Sequence, residues 1–466
     1  MDPKLALFLS ILFILWLFRQ ERKRHPGAST ALWMPLLWLT ILGSRPLSMW
    51  FGFGDGGDLE SDPTEGSPFD RFVFLVLIAA GLVILARRGI GWSEVVGRNK
   101  WLFLFFLYLG ISVIWSDYPF VSFKRWTKEL GNIVMVLVVL TEADPIEATK
   151  ALFERFGYLL VTLSLLFIKY FPDIGRAYTK SGESMWVGVT TNKNTLGMTV
   201  LVCGIGMMWS LLEPAQVKQG MKDKSQTFAQ VVPILMTMWL LFIANSSTSL
   251  SCGLLGAIIL LGTKVPTVRN RMASFGVFGG VTIVLLLLVG AMFNAGEAMV
   301  GAMGRDLTFT GRVDIWKAVL RESGNPLFGA GYYSFWLGDR VKRISEGYYY
   351  NLNEAHNGYL ETYLDNGLVG LFLISAVLLA AAENIKKDLR FGNRCAGLKI
   401  TFLVLAAIHN LTETSFSRLG PLWFALLFVI TEYRGPSKSK VAVIRTETPD
   451  QPGNSANLLN ERLPAY

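Results

Sequence analysis

The sequence predicts an all-α polytopic integral membrane protein with about 12–13 transmembrane helices and one large helical loop. Apolar and aromatic residues make up 52% of the 466 residues, and charged residues only 17%, whereas soluble domains average about 25% charged residues. The mean hydropathy is +0.41, and apolar runs recur along the whole chain. A single soluble core is excluded, because such cores stop growing at about 250–300 residues.

The apolar segments, taken in order, define the predicted helices. Several are only about 12–15 residues long, shorter than the roughly 20 that cross hydrocarbon, so flanking residues extend them or some are re-entrant. The segments are residues 5–18, 31–44, 72–86, 101–115, 129–140, 157–171, 195–212, 229–244, 250–263, 274–294, 367–383, 400–412 and 420–433.

The first segment is predicted to be a retained helix and not a signal peptide, because the basic run from Arg19 to Arg24 follows it. If that run lies inside, alternation places five further loops and the C-terminal tail inside. Those loops are residues 87–100, 141–156, 213–228, 264–273 and 384–399. They carry more Lys and Arg than the opposite loops, as the positive-inside rule requires. The N-terminus is therefore predicted outside and the C-terminus inside.

These assignments divide the chain into four parts. Residues 1–294 form an N-terminal transmembrane bundle of about ten helices, and residues 367–433 form the C-terminal transmembrane helices. Residues 434–466, rich in Pro, Ser, Thr and Asn, form a disordered cytoplasmic tail. Residues 295–366 form a large outer loop, and loops of that length are usually functional or disordered. Because this loop is dense in Trp and Tyr, a folded cap is expected.

Charge and cysteine content argue against a nucleic-acid partner and against disulfides or structural zinc. The net charge is +9, but the Lys and Arg residues are spread between apolar segments and do not gather on one face, so no nucleic-acid partner is expected. Cys203, Cys252 and Cys395 show no metal-type spacing. Neither a disulfide framework nor structural zinc is predicted, and no cofactor is expected.

Two helices are predicted within the cap. Residues 311–322 place apolar side chains at helical spacing, with Asp314 able to pair locally with Lys317. Residues 354–364 follow Asn353 as a plausible cap and place His356 in the first turn. The positive end of a helix dipole disfavours an imidazolium there, so a neutral His356 is expected, the state that a general base needs.

By residue type alone, a lone histidine more often makes a structural hydrogen bond, and this alternative stays open. Arg305 and Arg312 could present forked donors to phosphate oxygens, or lie on a solvated or carboxylate-paired surface. A second outer loop, residues 172–194, contains Arg176 and places Lys193 at a helix start, a possible anion site. Glu413 lies near an outer helix end, where ionisable groups at membrane depth are functional candidates.

The order of several motifs resembles the O-antigen ligase and polymerase superfamily, and most of all its branch of exopolysaccharide-production polymerases. The resemblance covers about residues 30–430. The cap motifs are GRDLTFTGRVDIW at 304–316, GAGY at 329–332, AHNGYL at 355–360 and NGLVG at 366–370. The upstream motifs are SRPLS at 44–48, WSDYP at 115–119 and Lys193-Asn194.

The resemblance implies a GT-C-like, metal-independent glycosyltransferase of the bacterial inner membrane with a helical periplasmic loop. Its donor would be an undecaprenyl-pyrophosphate-linked oligosaccharide and its acceptor a sugar hydroxyl. His356 would be the general base and Arg312 the main pyrophosphate ligand, and direct displacement predicts inversion at the anomeric carbon. Further pyrophosphate-binding candidates are Arg305, Arg176, Lys193 and Arg45. Supporting or sugar-stacking candidates are Asn357, Glu354, Asp314, Tyr332, Trp336, Tyr359 and Glu413.

The leading functional hypothesis is polymerisation of lipid-linked repeat units into exopolysaccharide. The expected partners are membrane lipid, a chain-length regulator and export proteins. Ligases commonly carry an arginine after a serine in a mid-chain helix, where this chain has NSSTSL at 245–250. The alternatives are a ligase that passes finished glycan to lipid A core, a polysaccharide transporter or flippase with the cap as a gate, and a non-catalytic assembly subunit.

Overall fold

The computed structural model describes residues 1–52, 67–178, 182, 184–213, 224–276, 312–345 and 352–433, and in this part the chain is almost entirely helical. This confirms the predicted all-α membrane fold. In the N-terminal half the helices are α1 Pro3–Arg24, α2 Trp33–Leu42, α3 Leu47–Phe51, α4 Pro68–Arg87, α5 Trp92–Arg98, α6 Lys100–Ile111, α7 Pro119–Leu140, α8 Pro145–Tyr170 and α9 Pro172–Gly175.

The remaining described helices follow a short two-stranded sheet. Strands β1 Arg176–Tyr178 and β2 Ser184–Trp186 pair antiparallel, with Arg176 opposite Trp186. The helices after them are α10 Lys193–Leu212, α11 Lys224–Ile243, α12 Ser247–Lys264, α13 Pro266–Arg271, α14 Arg312–Arg321, α15 Asp339–Ser345, α16 Gly358–Arg390, α17 Ala396–His409 and α18 Pro421–Ile430.

Seven helices of the described chain are long and apolar enough to span a membrane: α1, α4, α8, α10, α11, α12 and α16. Shorter apolar helices cover Thr30–Leu42, Lys100–Trp115, Ala396–His409 and Pro421–Ile430. Each predicted apolar segment coincides with one of these helices or with α7, except residues 274–294, which lie almost wholly outside the described residues.

Helix α8 lies at the centre of the bundle. It packs against α1, α2, α7, α10 and α11, and 78% of its apolar window is buried, against 22% for α1 and α4. A helix that is apolar on all sides is buried by other helices or by lipid. Every residue of α18 is buried by protein, whereas α1 and α4 leave apolar side chains exposed, which places them at the lipid boundary of a multi-pass membrane protein.

Charged side chains from the loops assigned inside meet at one end of the bundle, which we call the basic end. Arg88 pairs with Glu142, Lys264 with Glu213, and Arg394 lies 3.6 Å from Glu147. The loops that the alternation of helices assigns to the inner side of the membrane therefore lie together at one end of the bundle. At the opposite end, the Arg45 backbone N–H donates to the Val189 carbonyl at 2.9 Å.

Glu154 is a deeply buried charge at the basic end. Its side chain is 2% exposed and pairs with Arg24 of α1, and it also accepts hydrogen bonds from Tyr158 at 3.1 Å and from Ser210 at 2.6 Å. Three helices, α1, α8 and α10, therefore meet on one carboxylate.

Substituting Glu154→Gln is expected to destabilise the folded protein by about 3–5 kcal/mol, because it leaves the buried Arg24 guanidinium uncompensated. Thermal unfolding in detergent measures this. The control is Glu94→Gln, which breaks the exposed Arg98–Glu94 pair at 2.9 Å and is expected to cost at most about 1 kcal/mol. Equal melting temperatures for the two variants would contradict the central role of Glu154.

Helix α16 is broken at Gly367, where φ is 64° and ψ is −165°. A Cβ atom there would lie 2.2 Å from the Leu327 carbonyl carbon, so only glycine fits both the conformation and the contact. The break falls at the predicted boundary between the cap and the C-terminal transmembrane helices. It separates residues 358–366, which serve the cap, from the long apolar part of the same helix.

Candidate active site

The described part of the cap has its own hydrophobic core. Trp316 of α14 and Tyr363 of α16 are partly buried and pack against this core. The buried members are Ile315, Val319, Ala330, Phe335, Trp336, Ile344, Leu352, Ala355, Leu360 and Leu364. Because apolar residues at helical spacing on α14 and α16 bury against each other, the cap is folded there, as the aromatic content predicts.

The site lies where three segments of the chain converge: the start of α14, the segment 352–357 and the loop 410–420. The Arg312 guanidinium donates to the Thr412 carbonyl, and its Nη2 lies 3.1 Å from Glu413 Oε1. His356 Nδ1 lies 3.0 Å from Glu354 Oε1 and 3.5 Å from Glu413 Oε2. An arginine fork and an imidazole therefore share one carboxylate.

Glu413 holds this group together. Its side chain is 9% exposed, and it accepts from the Asn194 amide at 3.3 Å on both oxygens. Its backbone carbonyl accepts from Gly358 N–H at 3.1 Å. Burial raises the pKa of Glu413, but the nearby His356 and Arg312 outweigh burial and hold the pKa below its usual range. Glu413 is therefore an anion that orients the two cationic partners.

The predicted state of His356 is wrong. The helix begins at Gly358 with Asn357 as its N-cap, whose Oδ1 accepts from the backbone N–H groups of Tyr359 and Leu360 at 3.1 Å. His356 thus precedes the helix, in a left-handed conformation with φ 51°. Burial lowers its pKa, but the Glu354 and Glu413 carboxylates outweigh burial and raise the pKa to about 10. The isolated site therefore holds an imidazolium.

His356 remains open to a substrate. Its side chain is 28% exposed, and the ion pairs that it forms with described residues involve Nδ1 and not Nε2. Both carboxylates lie close to Nδ1, the ring nitrogen that faces the carboxylate in an acid–base triad, although the contacts lack the geometry of a hydrogen bond. Nε2 is therefore the ring nitrogen left for an external group.

The predicted sugar-stacking role of three aromatic residues is wrong. Tyr332, Trp336 and Tyr359 are 1%, 9% and 2% exposed, so their ring faces are covered by protein. Their polar tips are also engaged: Tyr332 donates to the Ser417 carbonyl, Trp336 to Glu361 and Tyr359 to the Ala407 carbonyl. An amphipathic ring buries its apolar body and needs a partner for its tip, and here the partners are internal.

Two other predicted phosphate ligands, Arg45 and Arg176, lie at the same end of the bundle but in different settings. Arg45 donates to the Ile174 and Thr190 carbonyls at 2.7 and 2.9 Å, and burial lowers its pKa. Arg176 donates to the Ile168 carbonyl at 3.1 Å and stacks 4.6 Å from the centre of the Trp186 ring. Both arginines fasten loop 172–190 to the bundle.

Lys193 is the predicted ligand that stays available. It is half-buried at the start of α10, next to the Asn194 that contacts Glu413, and among the described residues its ammonium has no ion-pair partner. Asp314 is exposed on α14. Arg305 lies outside the described residues.

Within the described ranges one set of side chains could hold a metal ion. The donor atoms of Glu354, His356 and Glu413 all lie within 4.8 Å of one another. Arg312 and Asn194 already donate to the Glu413 carboxylate. A divalent ion would face the Arg312 charge and a histidine whose pKa favours its protonated form, so the donor set suits an acid–base pair better than a metal.

Sequence reasoning missed Arg418. Its guanidinium donates to Glu361 and Asp365 at 2.8 and 3.0 Å and lies 3.5 Å from the centre of the Tyr333 ring. The available signal was an arginine in a short loop between two strongly apolar segments, a position where a cation needs an internal partner.

Comparison with known proteins agrees with this picture. The O-antigen ligase family matches residues 233–375, a stretch that contains Arg312 and His356. Over 398 residues the chain is 26% identical to the exopolysaccharide production protein ExoQ of Rhizobium meliloti (strain 1021), covering 80% of this chain and 88% of that protein. These matches confirm the resemblance drawn from the cap motifs. This multi-pass helical membrane protein is similar to members of the O-antigen ligase and polymerase superfamily.

Proposed function

We propose that this chain is an inner-membrane glycosyltransferase that polymerises undecaprenyl-pyrophosphate-linked oligosaccharide repeat units into exopolysaccharide on the periplasmic face. The observation that supports it most is that Arg312 and His356 both lie against the Glu413 carboxylate. The likeness to ExoQ favours exopolysaccharide as the product. The basic loops at the opposite end favour a periplasmic site, because such loops stay in the cytoplasm.

In this mechanism Arg312 binds the leaving group. As the bond between the anomeric carbon and the pyrophosphate oxygen breaks, that oxygen takes the electron pair and negative charge grows on the phosphates. A guanidinium fork matches phosphate geometry and is always charged, so it stabilises this charge where it develops. Lys193 and Arg305 are the further cations proposed to contact the pyrophosphate, and the two carbonyl-bound arginines, Arg45 and Arg176, shape the adjoining loop.

Neutral His356, formed when the resting imidazolium loses its Nε2 proton to solvent, receives the proton of the attacking hydroxyl. The sugar oxygen of the acceptor forms a bond to the anomeric carbon from the face opposite the pyrophosphate, which inverts the configuration, and its proton passes to His356 Nε2. Glu354 and Glu413 at Nδ1 stabilise the imidazolium that forms. No metal is required in this scheme, since Arg312 supplies the positive charge.

The decisive experiment is a reconstitution of the purified protein with lipid-linked repeat units, followed by mass spectrometry of the lipid-linked products. Products of two or more repeat units support the polymerase. Because the matching family is that of O-antigen ligases, the second candidate is transfer to lipid A core, and addition of that acceptor with glycan appearing only on it would identify a ligase. Movement of unaltered substrate across the bilayer would identify a transporter.

The pH dependence of the reaction tests the role of His356. Because a base must be neutral and the free-enzyme pKa of His356 is about 10, kcat/KM is expected to rise about tenfold per pH unit from pH 7 to 9 and to level off near pH 10. Glu354→Gln removes one of the two carboxylates and is expected to move the plateau to lower pH. A profile that is flat from pH 7 to 9 and falls above about pH 10 would show instead that His356 works as a cation.

Chelation tests the metal-free scheme. Dialysis against EDTA is expected to leave the rate of chain extension unchanged, because Arg312 occupies the Glu413 carboxylate that a metal would need. Loss of activity on chelation with recovery on adding Mg²⁺ or Mn²⁺ would assign Glu354, His356 and Glu413 to a metal site.

A further inference from the structure

Behind the site lies a buried charge cluster that the mechanism does not use. Arg418 is 14% exposed, and Glu361 and Asp365 are 2% and 5% exposed. Arg418 Nη2 lies 2.8 Å from Glu361 Oε2 and 3.0 Å from Asp365 Oδ2. Without this arginine two buried carboxylates would stand one helical turn apart, an arrangement that is costly unless compensated.

Glu361 connects this cluster to the site. Its carboxylate also accepts from the backbone N–H of Ala355 and from the Trp336 indole at 2.8 Å. Ala355 immediately precedes His356, so the same carboxylate that Arg418 holds fixes the peptide leading into the histidine.

The Ala355 peptide also links to the phosphate-binding helix. Its carbonyl accepts from the Trp316 indole at 2.8 Å, and Trp316 lies one turn after Arg312 on α14. Arg418 itself belongs to the loop that carries Glu413. Together with the Trp316 contact, the contacts of Arg418 and Glu361 therefore connect the three segments on which Arg312, His356 and Glu413 lie.

The backbone of His356 needs such support. A non-glycine residue with φ of 51° occupies a sparsely populated conformation that persists only when the surroundings enforce it. On one side Asn357 caps α16, and on the other the Ala355 N–H is held by Glu361. Release of the Glu361 contact leaves the histidine fixed from one side only.

We propose that Arg418 is a positioning residue, which through Glu361 and the Ala355 backbone N–H holds His356 in register with Arg312 and Glu413. This inference rests on the proposed function, in which His356 is the base. Arg418 touches neither donor nor acceptor, so its effect falls on the rate of the chemical step and not on substrate binding.

The test compares four variants by kcat, KM for the lipid-linked donor and melting temperature in detergent. Arg418→Gln is expected to lower kcat by about 10²-fold, the cost of misplacing a reacting group by about 1 Å, with KM for the donor unchanged. Arg418→Lys keeps the charge between the two carboxylates and is expected to recover most of that loss. Glu361→Gln changes the residue that links Arg418 to the Ala355 N–H, and it is expected to lower kcat as much as Arg418→Gln does.

Arg340→Lys is the matched control. Arg340 is a cap arginine that is 17% exposed, pairs with Asp117 at 2.8 Å and lies 4.9 Å from the centre of the Phe335 ring, but it does not contact Glu361 or Ala355. Its substitution is expected to leave kcat unchanged. Equal kcat values in Arg418→Gln and Arg340→Lys would overturn the proposal, as would a loss confined to KM.

If Arg418→Gln fails to fold, Glu361→Gln decides, and wild-type kcat in a folded Glu361→Gln protein would overturn the inference. The result for His356→Ala separates the two levels of the argument. Chain extension by a His356→Ala protein would refute the base role of His356 in the proposed function, whereas an inactive His356→Ala protein beside a fully active Arg418→Gln protein would refute the positioning role alone.

Discussion

His356→Ala is expected to lower the rate of chain extension by roughly 10²–10⁴-fold, the range that a positioned general base contributes. The reason is local: His356 shares the Glu413 carboxylate with the Arg312 fork, and both neighbouring carboxylates lie at its Nδ1. Binding of the lipid-linked donor is expected to persist, because Arg312 is untouched. Mass spectrometry of lipid-linked glycans from the variant strain is expected to show single repeat units.

Two further variants make this result specific. His356→Gln keeps a hydrogen-bonding side chain of similar length without a basic nitrogen, and it is expected to be as inactive as His356→Ala. Lys342→Ala, on the exposed surface of α15 in the same cap, controls for expression and insertion, since its side chain is 77% exposed. Full polymer length in the His356→Ala strain would refute the base, and long lipid-linked polymer would point to a ligase.

The general fold follows from composition because burial in lipid and burial in protein both select apolar residues. The sequence could not distinguish these two surroundings. Helices α1 and α18 both read as apolar segments, yet α1 faces lipid and α18 is wholly enclosed by neighbouring helices. Which helix is central depends on contacts between segments far apart in the chain, and no local pattern records them.

The site was predictable to the level of residue identity but not of state. The motifs indicated His356 and Arg312, and the structure brings them to one carboxylate. Asn353 was expected as the helix cap, but Asn357 caps the helix instead, and that shift of one helical turn places His356 outside the dipole and between Glu354 and Glu413. A residue's pKa is set by partners in space, and Glu413 is 57 positions away along the chain.

The aromatic residues show the same limit of prediction from sequence, which indicates the residues but not their surroundings. Their number correctly indicated a folded cap, but the same property that suits Tyr332 and Tyr359 to sugar stacking also suits them to a core. Each buries its ring and satisfies its hydroxyl with a backbone carbonyl, at 3.0 Å in both cases. Composition therefore predicts that the cap is ordered, and only the coordinates tell which of its rings are exposed.

Arg312→Lys is expected to reduce kcat by about 10²–10³-fold, as for loss of one preorganised donor to a developing oxyanion. Lysine keeps the positive charge, but a single ammonium cannot contact the Thr412 carbonyl, Glu413 and a phosphate oxygen with the fixed geometry of a guanidinium. The measurement is single-turnover extension at saturating donor, which isolates the chemical step. Arg321→Lys, at the exposed far end of the same helix, is the control and is expected to behave as wild type.

Comparing Arg312→Lys with Arg312→Gln separates the charge of the guanidinium from its geometry, because the two properties predict different losses of activity. If charge alone mattered, Arg312→Lys would stay near wild type and Arg312→Gln would be inactive. If the fork matters, both variants lose the chemical step and the lysine variant retains donor binding at low salt, where an exposed cation still attracts pyrophosphate. An Arg312→Lys protein with wild-type single-turnover rate would remove the bidentate contact from the mechanism and shift the leaving-group role toward Lys193, the neighbouring cation at the start of α10.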